Sequence, residues 1–277
     1  MKVLKFGGTS VGSPERMHAL EKLIASNDKR LVVLSAVAGT TNALVEISAT
    51  FAKDDNAAAV VLTNNLHDKY KIFVQDLFKT EAGKQKGTEL IEAHFDSIRE
   101  FAKDVFTVRE ERAILAQGEL LSTALFHYYL EECNVPSVLL SALDFMRIDG
   151  DNEPMLSYIE NHIAAELAKY PTCPLFITQG YICRNAFGET DNLKRGGSDY
   201  SASLIGAATR SDEIQIWTDI DGMHNNDPRY VKPTFPIAEL SFDEAAELAY
   251  FGAKILHPST IWPAQKYNIP VLSLIHI

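Results

Sequence analysis

The chain has 277 residues, 46% of them hydrophobic, and a formal net charge of −11. That length admits one large α/β domain or two lobes with a proper core. The acidic balance argues against a general binder of nucleic acid or of anionic membrane surfaces, although a small anion could still enter a local basic pocket.

Met1 to Leu4 reads as a buried strand. It runs into Lys5-Phe6-Gly7-Gly8-Thr9-Ser10-Val11, and Ser13-Pro14-Glu15-Arg16 then reads as a helix start, with Ser as N-cap and Pro at the first helical position. A lysine, two glycines and two hydroxyls therefore sit where a strand turns into a helix. Such a turn brings backbone N–H groups close to a ligand, and a helix N-terminus favours an anion. Lys5 to Val11 is either a phosphate cradle with a built-in cation or an ordinary strand-to-helix turn.

Met17, Leu20, Leu23 and Ile24 repeat at helical spacing, giving a helix to about Ser26. Leu31 to Ser35 is a second buried strand, followed by the small-residue turn Ala36 to Asn42 and another helix. Strand, turn and helix, repeated, is the pattern of a parallel sheet covered by helices, in which ligands bind at the carboxyl ends of the strands. From about Phe51 to Phe106 the apolar residues recur at helical spacing among dense charges. This predicts two or three amphipathic helices without chemistry of their own, with Lys84-Gln85-Lys86-Gly87 as a loop and His67-Asp68-Lys69 as solvated surface.

A further helix is expected over Glu110 to Cys133. It carries Glu119 beside the apolar stripe of Leu115 and Phe126, either facing water at the stripe's edge or buried with a partner that offsets the cost. Ser137–Leu140 and Leu175–Thr178 read as core strands. Pro154 to Tyr170 reads as a helix, and Cys183 to Asn192 as a hairpin-like polar stretch. Arg195-Gly196-Gly197-Ser198-Asp199-Tyr200 then repeats the opening device: a glycine pair before a helix, with a cation that can fork onto a carboxylate or phosphate. Ile214 to Trp217 is a strand leading to Thr218-Asp219-Ile220-Asp221-Gly222. Asp227-Pro228-Arg229 is a turn, and Ser241 to Glu244 is a capping box opening a helix towards Lys254.

Three cysteines, Cys133, Cys173 and Cys183, lack CxxC spacing, which fits a reducing compartment. No signal-peptide pattern opens the chain and no run approaches the ~20 apolar residues of a membrane helix. A cytoplasmic protein without membrane or nucleic-acid partners is expected. GxxxxGK[ST], GxGxxG and HExxH are all missing.

Taken in order, these stretches resemble the aspartokinases of the amino acid kinase family. The resemblance runs through Lys5–Val11, Ser35-Ala36 with Gly39, Thr41 and Asn42, Gly118-Glu119, and Arg195–Tyr200. It continues through Trp217-Thr218-Asp219, Asp227-Pro228-Arg229, and Tyr250–Lys254 with Leu256-His257-Pro258. It implies an α/β three-layer sandwich, an open, mostly parallel sheet between helix layers. It also implies transfer of the ATP γ-phosphoryl group to the β-carboxylate of L-aspartate, with Mg²⁺ arriving on the ATP phosphates. By the same resemblance Lys5 and Asp199 are the catalytic residues. Thr41, Glu119, Arg195 and Ser198 bind aspartate. Lys5, Gly7, Gly8, Ser10, Thr218, Asp219, Arg229 and Lys254 bind the nucleotide, and no residue is a metal ligand. Residues 1–185 would form the amino-acid lobe, with a helical insertion near 51–133, and 186–271 the nucleotide lobe. A homo-oligomer is implied for a full-length protein.

Three departures stand out. Lys194 replaces the family's usual glycine, His224 stands where a tyrosine is usual near the nucleotide, and residues 272–277 do not resemble the expected continuation. Those last residues read as a non-native tail, in place of a path into regulatory ACT domains. Other amino acid kinases, the N-terminal part of a bifunctional aspartokinase–homoserine dehydrogenase, and a catalytically silent amino-acid-binding module are the competing readings.

Overall fold

The computed structural model of the protein describes every residue except 27, 104, 194–196, 227–229, 251–257 and 277. Its organising element is a six-stranded sheet. The strands are β1 (Lys2–Phe6), β2 (Arg30–Leu34), β3 (Val138–Leu140), β4 (Leu175–Gln179), β7 (Glu213–Thr218) and β8 (Val271–Ile275), in the spatial order β3-β4-β2-β1-β7-β8. Every pairing in it is parallel. A short antiparallel hairpin, β5 (Ile182–Arg184) with β6 (Thr190–Asn192), lies outside the sheet.

Strand period sorts the core into two layers. Leu4 and Phe6, Val32 and Leu34, and Leu175 and Ile177 face one way. They pack against α1 (Pro14–Ile24), α2 (Thr40–Phe51), α3 (Asn56–Leu77), α4 (Glu81–Glu100) and α5 (Val108–Glu132). Val3, Leu31, Val33, Phe176, Ile214 and Ile216 face the other way. They pack against α6 (Ala142–Phe145), α7 (Leu156–Ala168), α8 (Gly197–Thr209) and α10 (Pro258–Lys266), the last following α9 (Phe242–Tyr250). Burial on both faces explains why the central strands read as unbroken apolar runs. The expected three-layer sandwich is the observed fold.

The capping residues act as the sequence predicts. Ser13 accepts from the Arg16 N–H with Pro14 at the first helical position, and Ser241 and Glu244 form a reciprocal capping box. Two expectations need correction. Lys84 to Gly87 is not a loop but the first turns of α4, because Thr80 caps the helix by accepting from the Gly83 N–H. His67 is not solvated surface: it is 2% exposed, stacked on Phe95 with ring centres 4.6 Å apart, and its Nδ1 accepts from Arg99 Nη2 at 2.7 Å. Asp68 and Lys69 are exposed as expected. Residues 271–275 pair with β7 as an edge strand, with Leu272 and Ile275 left exposed.

Chain order places the functional crevice. From β1 the chain moves to β2 on one side, and β7 later fills the other side. The carboxyl end of β1 is therefore flanked by strands reached in opposite directions, the kind of switch point where parallel sheets bind ligands.

Candidate active site

Lys5 is the penultimate residue of β1 and shares the face of Val3, towards α8. α8 directs its first turn at the same strand end, and Lys5 Nζ lies 2.6 Å from Asp199 Oδ1. A carboxylate in the first turn is favoured by the helix dipole. The lysine is thereby drawn back over Gly7: a β-carbon at Gly7 would stand 3.4 Å from Nζ. Gly7, Thr9, Ser10, Thr218 and Asp219 surround the ammonium in a cavity of about 200 Å³. The β1–β7 register sets Phe6 beside Trp217, so Gly7, the first residue past β1, follows next to Thr218, the last residue of β7. Phe6 and Trp217 stack at 5.7 Å beneath them. A larger apolar hollow of about 960 Å³, lined in part by Ile237, Leu240 and Phe242, adjoins across Gly222, Met223 and Ser273.

The other half of the crevice is built around Ala36, just past β2. A β-carbon at Gly8 would meet the Ala36 carbonyl oxygen at 2.7 Å, and one at Gly118 would meet Ala36 Cβ at 2.8 Å. Glycine at both places lets the β1 loop and α5 close on this turn. The approach of α5 lets Glu119 Oε1 accept from the Ala36 N–H at 3.3 Å. Ser35 Oγ donates to Ser198 Oγ at 2.9 Å, and the Ser35 carbonyl accepts from Ser122 Oγ. Lys5, Asp199, Ser198, Ser35, Ala36 and Glu119 thus form one run of neighbours across the ends of β1 and β2, the first turn of α8 and the middle of α5.

Glu119 is 4% exposed, and no basic side chain pairs with it among the described residues. Burial pushes its carboxyl up to about 7 against the pull of the Ala36 N–H. Nearby, Thr40 and the buried Tyr70 share a hydrogen bond of 2.9 Å, and burial raises the Tyr70 phenol above its ordinary range. A buried carboxylate without a cation, facing a crevice that contains a lysine, suits a ligand bearing both an ammonium and negative charge.

The Amino acid kinase family profile matches residues 1–272. The chain belongs to the amino acid kinase family. It is 35% identical to the lysine-sensitive aspartokinase 3 of Escherichia coli over 97% of this chain and 60% of that one. It is 30% identical to a maize chloroplastic bifunctional aspartokinase/homoserine dehydrogenase over 98% of this chain and 30% of that one. The crystal structure of E. coli aspartokinase III with aspartate and ADP superposes with a TM-score of 0.86 at 33% identity, covering 99% of this chain and 62% of that one. The chain therefore spans about a third to three-fifths of the length of these relatives.

Within this amino acid kinase fold, most of the expected residues converge. Lys5, Gly7, Ser10, Asp199, Thr218 and Asp219 line one cavity, while Gly8, Glu119 and Ser198 build its neighbouring wall. Thr41 is exposed in the first turn of α2, at the same strand-end edge. Arg195, Arg229, Lys254 and Lys194 lie outside the described residues. His224 is turned inward: Nε2 donates to Asp221 at 2.7 Å, which lowers that carboxyl, and Nδ1 lies 3.0 Å from Thr234 Oγ1. It braces the loop after β7.

Two residues at the crevice were given no role by the sequence. Ser35 matters because its hydroxyl reaches across to α8. Tyr181 follows β4 in the left-handed region at φ +65°, its N–H held by Ser201 Oγ at 2.8 Å. Burial and the nearby Glu119 charge push its phenol up to about 12.

Proposed function

We propose that this chain is an aspartate kinase catalytic domain, transferring the ATP γ-phosphoryl group to the β-carboxylate of L-aspartate to give 4-phospho-L-aspartate and ADP. The observation that carries the reading is Glu119, a buried carboxylate without a cationic partner among the described residues, on the wall of the crevice that holds the Lys5–Asp199 pair. The E. coli relative solved with aspartate and ADP supports the same substrates.

The chemistry asks little of proton transfer. A free aspartate side chain, with a pKa near ~3.9, is already ionised at neutral pH, so the nucleophile needs no general base. What the site must do is hold two anions together and offset charge on the phosphoryl group in flight. Lys5 is the cation for that group, and Asp199 orients it. Gly7, Gly8 and Ser10 supply close backbone and hydroxyl contacts. Glu119 takes the ammonium of aspartate, Arg195 its α-carboxylate, and Ser198 and Thr41 complete that subsite. Thr218 and Asp219 hold the nucleoside, with Arg229 and Lys254 on the phosphates. The described residues contain no group of three or more side chains that could hold a metal. Mg²⁺ would come with ATP, bound by phosphate oxygens and water, and would offset phosphate charge there.

We assign residues 1–185 mainly to the amino acid and 186–271 mainly to the nucleotide, with Lys5 to Ser10 serving both. The parent protein is an aspartokinase, alone or fused to homoserine dehydrogenase, working in the cytoplasm and able to assemble with copies of itself. The test is ADP release with a panel of acidic amino acids, with hydroxylamine to trap an acyl phosphate. Hydroxamate formed with aspartate alone is expected. Turnover with glutamate, acetylglutamate or UMP instead, or none with any, would overturn the reading.

A further inference from the structure

Asp191 on β6 is 1% exposed, yet it carries a carboxylate. It accepts from Arg112 Nη1 on α5 and, at 2.8 Å, from the Asn192 N–H. A buried ion pair contributes little net stability relative to apolar packing of the same volume, so its best-attested use is to fix register. Here the two elements it joins are the helix that carries Glu119 and the hairpin that closes over it.

The spacing makes the linkage direct. Arg112, Ala116 and Glu119 fall at i, i+4 and i+7, one stripe of α5, with about 10 Å of helix axis between the first and the last. Ala116, between them, belongs to the same buried cluster as Ile182, Cys183 and Leu193 of the hairpin region. One turn earlier Arg109 lies 3.7 Å from Glu189, an exposed second rung between the same helix and the turn of the hairpin.

The hairpin presents Tyr181 to the site. The Tyr181 carbonyl accepts from the Leu193 N–H at 2.7 Å, and its own N–H donates to Ser201 on α8. Burial, together with the charges of Glu119 and Asp191, raises its phenol.

We propose that Arg112 and Asp191 are positioning residues for the amino-acid half of the site: their pair locks the β5–β6 hairpin onto α5 and so sets Tyr181 against Glu119. The proposal rests on the aspartate kinase reading for its substrate, but not for its structural claim.

The experiment compares Asp191→Asn, Arg112→Gln, the double variant and Arg112→Lys with the parent protein. Each single neutral variant is expected to raise the aspartate KM about tenfold, with kcat and the ATP KM within about twofold. The double variant should be no worse than the worse single one, because both remove the same link. Arg112→Lys keeps the charge but not the fork and should fall between. It also stands in if the neutral variants fail to fold. Hydrogen exchange read at Tyr181 and Leu193 should quicken at least tenfold in the variants, with β1 unchanged. An unchanged aspartate KM, or equal rises for aspartate and ATP, would overturn the positioning role. Unchanged exchange at Leu193 would overturn it even if no acidic amino acid is turned over, an outcome that by itself counts against the kinase reading.

Discussion

Glu119→Gln tests the site at its most strained charge. The ordinary value for this carboxyl is 4.5, and in the folded chain burial raises it to about 7. Between those values the folded state holds a proton that the unfolded state has released, so stability falls as pH rises through the window and levels off above it. The gap, at about 1.4 kcal/mol per pH unit, amounts to about 3 kcal/mol. Glutamine keeps an oxygen to accept from the Ala36 N–H and cannot ionise. Urea unfolding at pH 5 and pH 8 should therefore show the parent losing on the order of 3 kcal/mol more than the variant. The same proton governs aspartate. With a pKa near 7 the carboxyl is roughly one-tenth ionised at pH 6 and roughly nine-tenths at pH 8. Since the ammonium of aspartate needs the ionised form, calorimetry should show affinity rising roughly tenfold across that interval, with proton release near pH 6.5. Glu119→Gln should bind aspartate weakly at both pH values. A parent stability that is flat or rising from pH 5 to pH 8 relative to the variant would refute the buried, unpaired carboxylate. A pH-independent affinity would refute its pairing with the substrate ammonium.

Lys5→Ala should lower kcat by on the order of 100-fold or more, with little change in aspartate KM, as for loss of one charge-stabilising donor; steady-state kinetics with near-normal kcat would remove Lys5 from catalysis. Gly8→Ala forces a β-carbon to 2.7 Å from the Ala36 carbonyl oxygen, so thermal unfolding should show a loss of about 1–3 kcal/mol together with reduced turnover. A fully stable variant would mean that the two strand-end turns are not in contact. Burial lowers the pKa of His67 below its ordinary 6.5. Stability should fall as pH drops below 6.5, and His67→Gln should lessen that slope; identical slopes would place the ring in water.

Local pattern was enough for much of this architecture. Ser13-Pro14 and Ser241 with Glu244 announced helix starts, and Leu31 to Leu34 announced a strand buried on both faces. Those signals lie within a few residues of one another, which is the range over which caps and strand period act. Lys84 to Gly87 failed for the same reason: a polar, glycine-containing run looks like a loop until α4 is seen packed against α3 and α5, where tertiary contact outweighs propensity.

The sequence alone determined that Lys5 to Ser10 and Gly197 to Asp199 each join a glycine-bearing turn to a helix. Local pattern left open whether they belong together, and only the resemblance to aspartokinases joined them. The parallel order of β2, β1 and β7 decided that, by bringing Lys5 within 2.6 Å of Asp199 across 194 positions of chain. His67 and Asp191 carry no local mark of burial, and Glu119 could have faced water. Their surroundings come from helices and strands far away in sequence, and desolvation depends on everything packed around a group rather than on its neighbours along the chain.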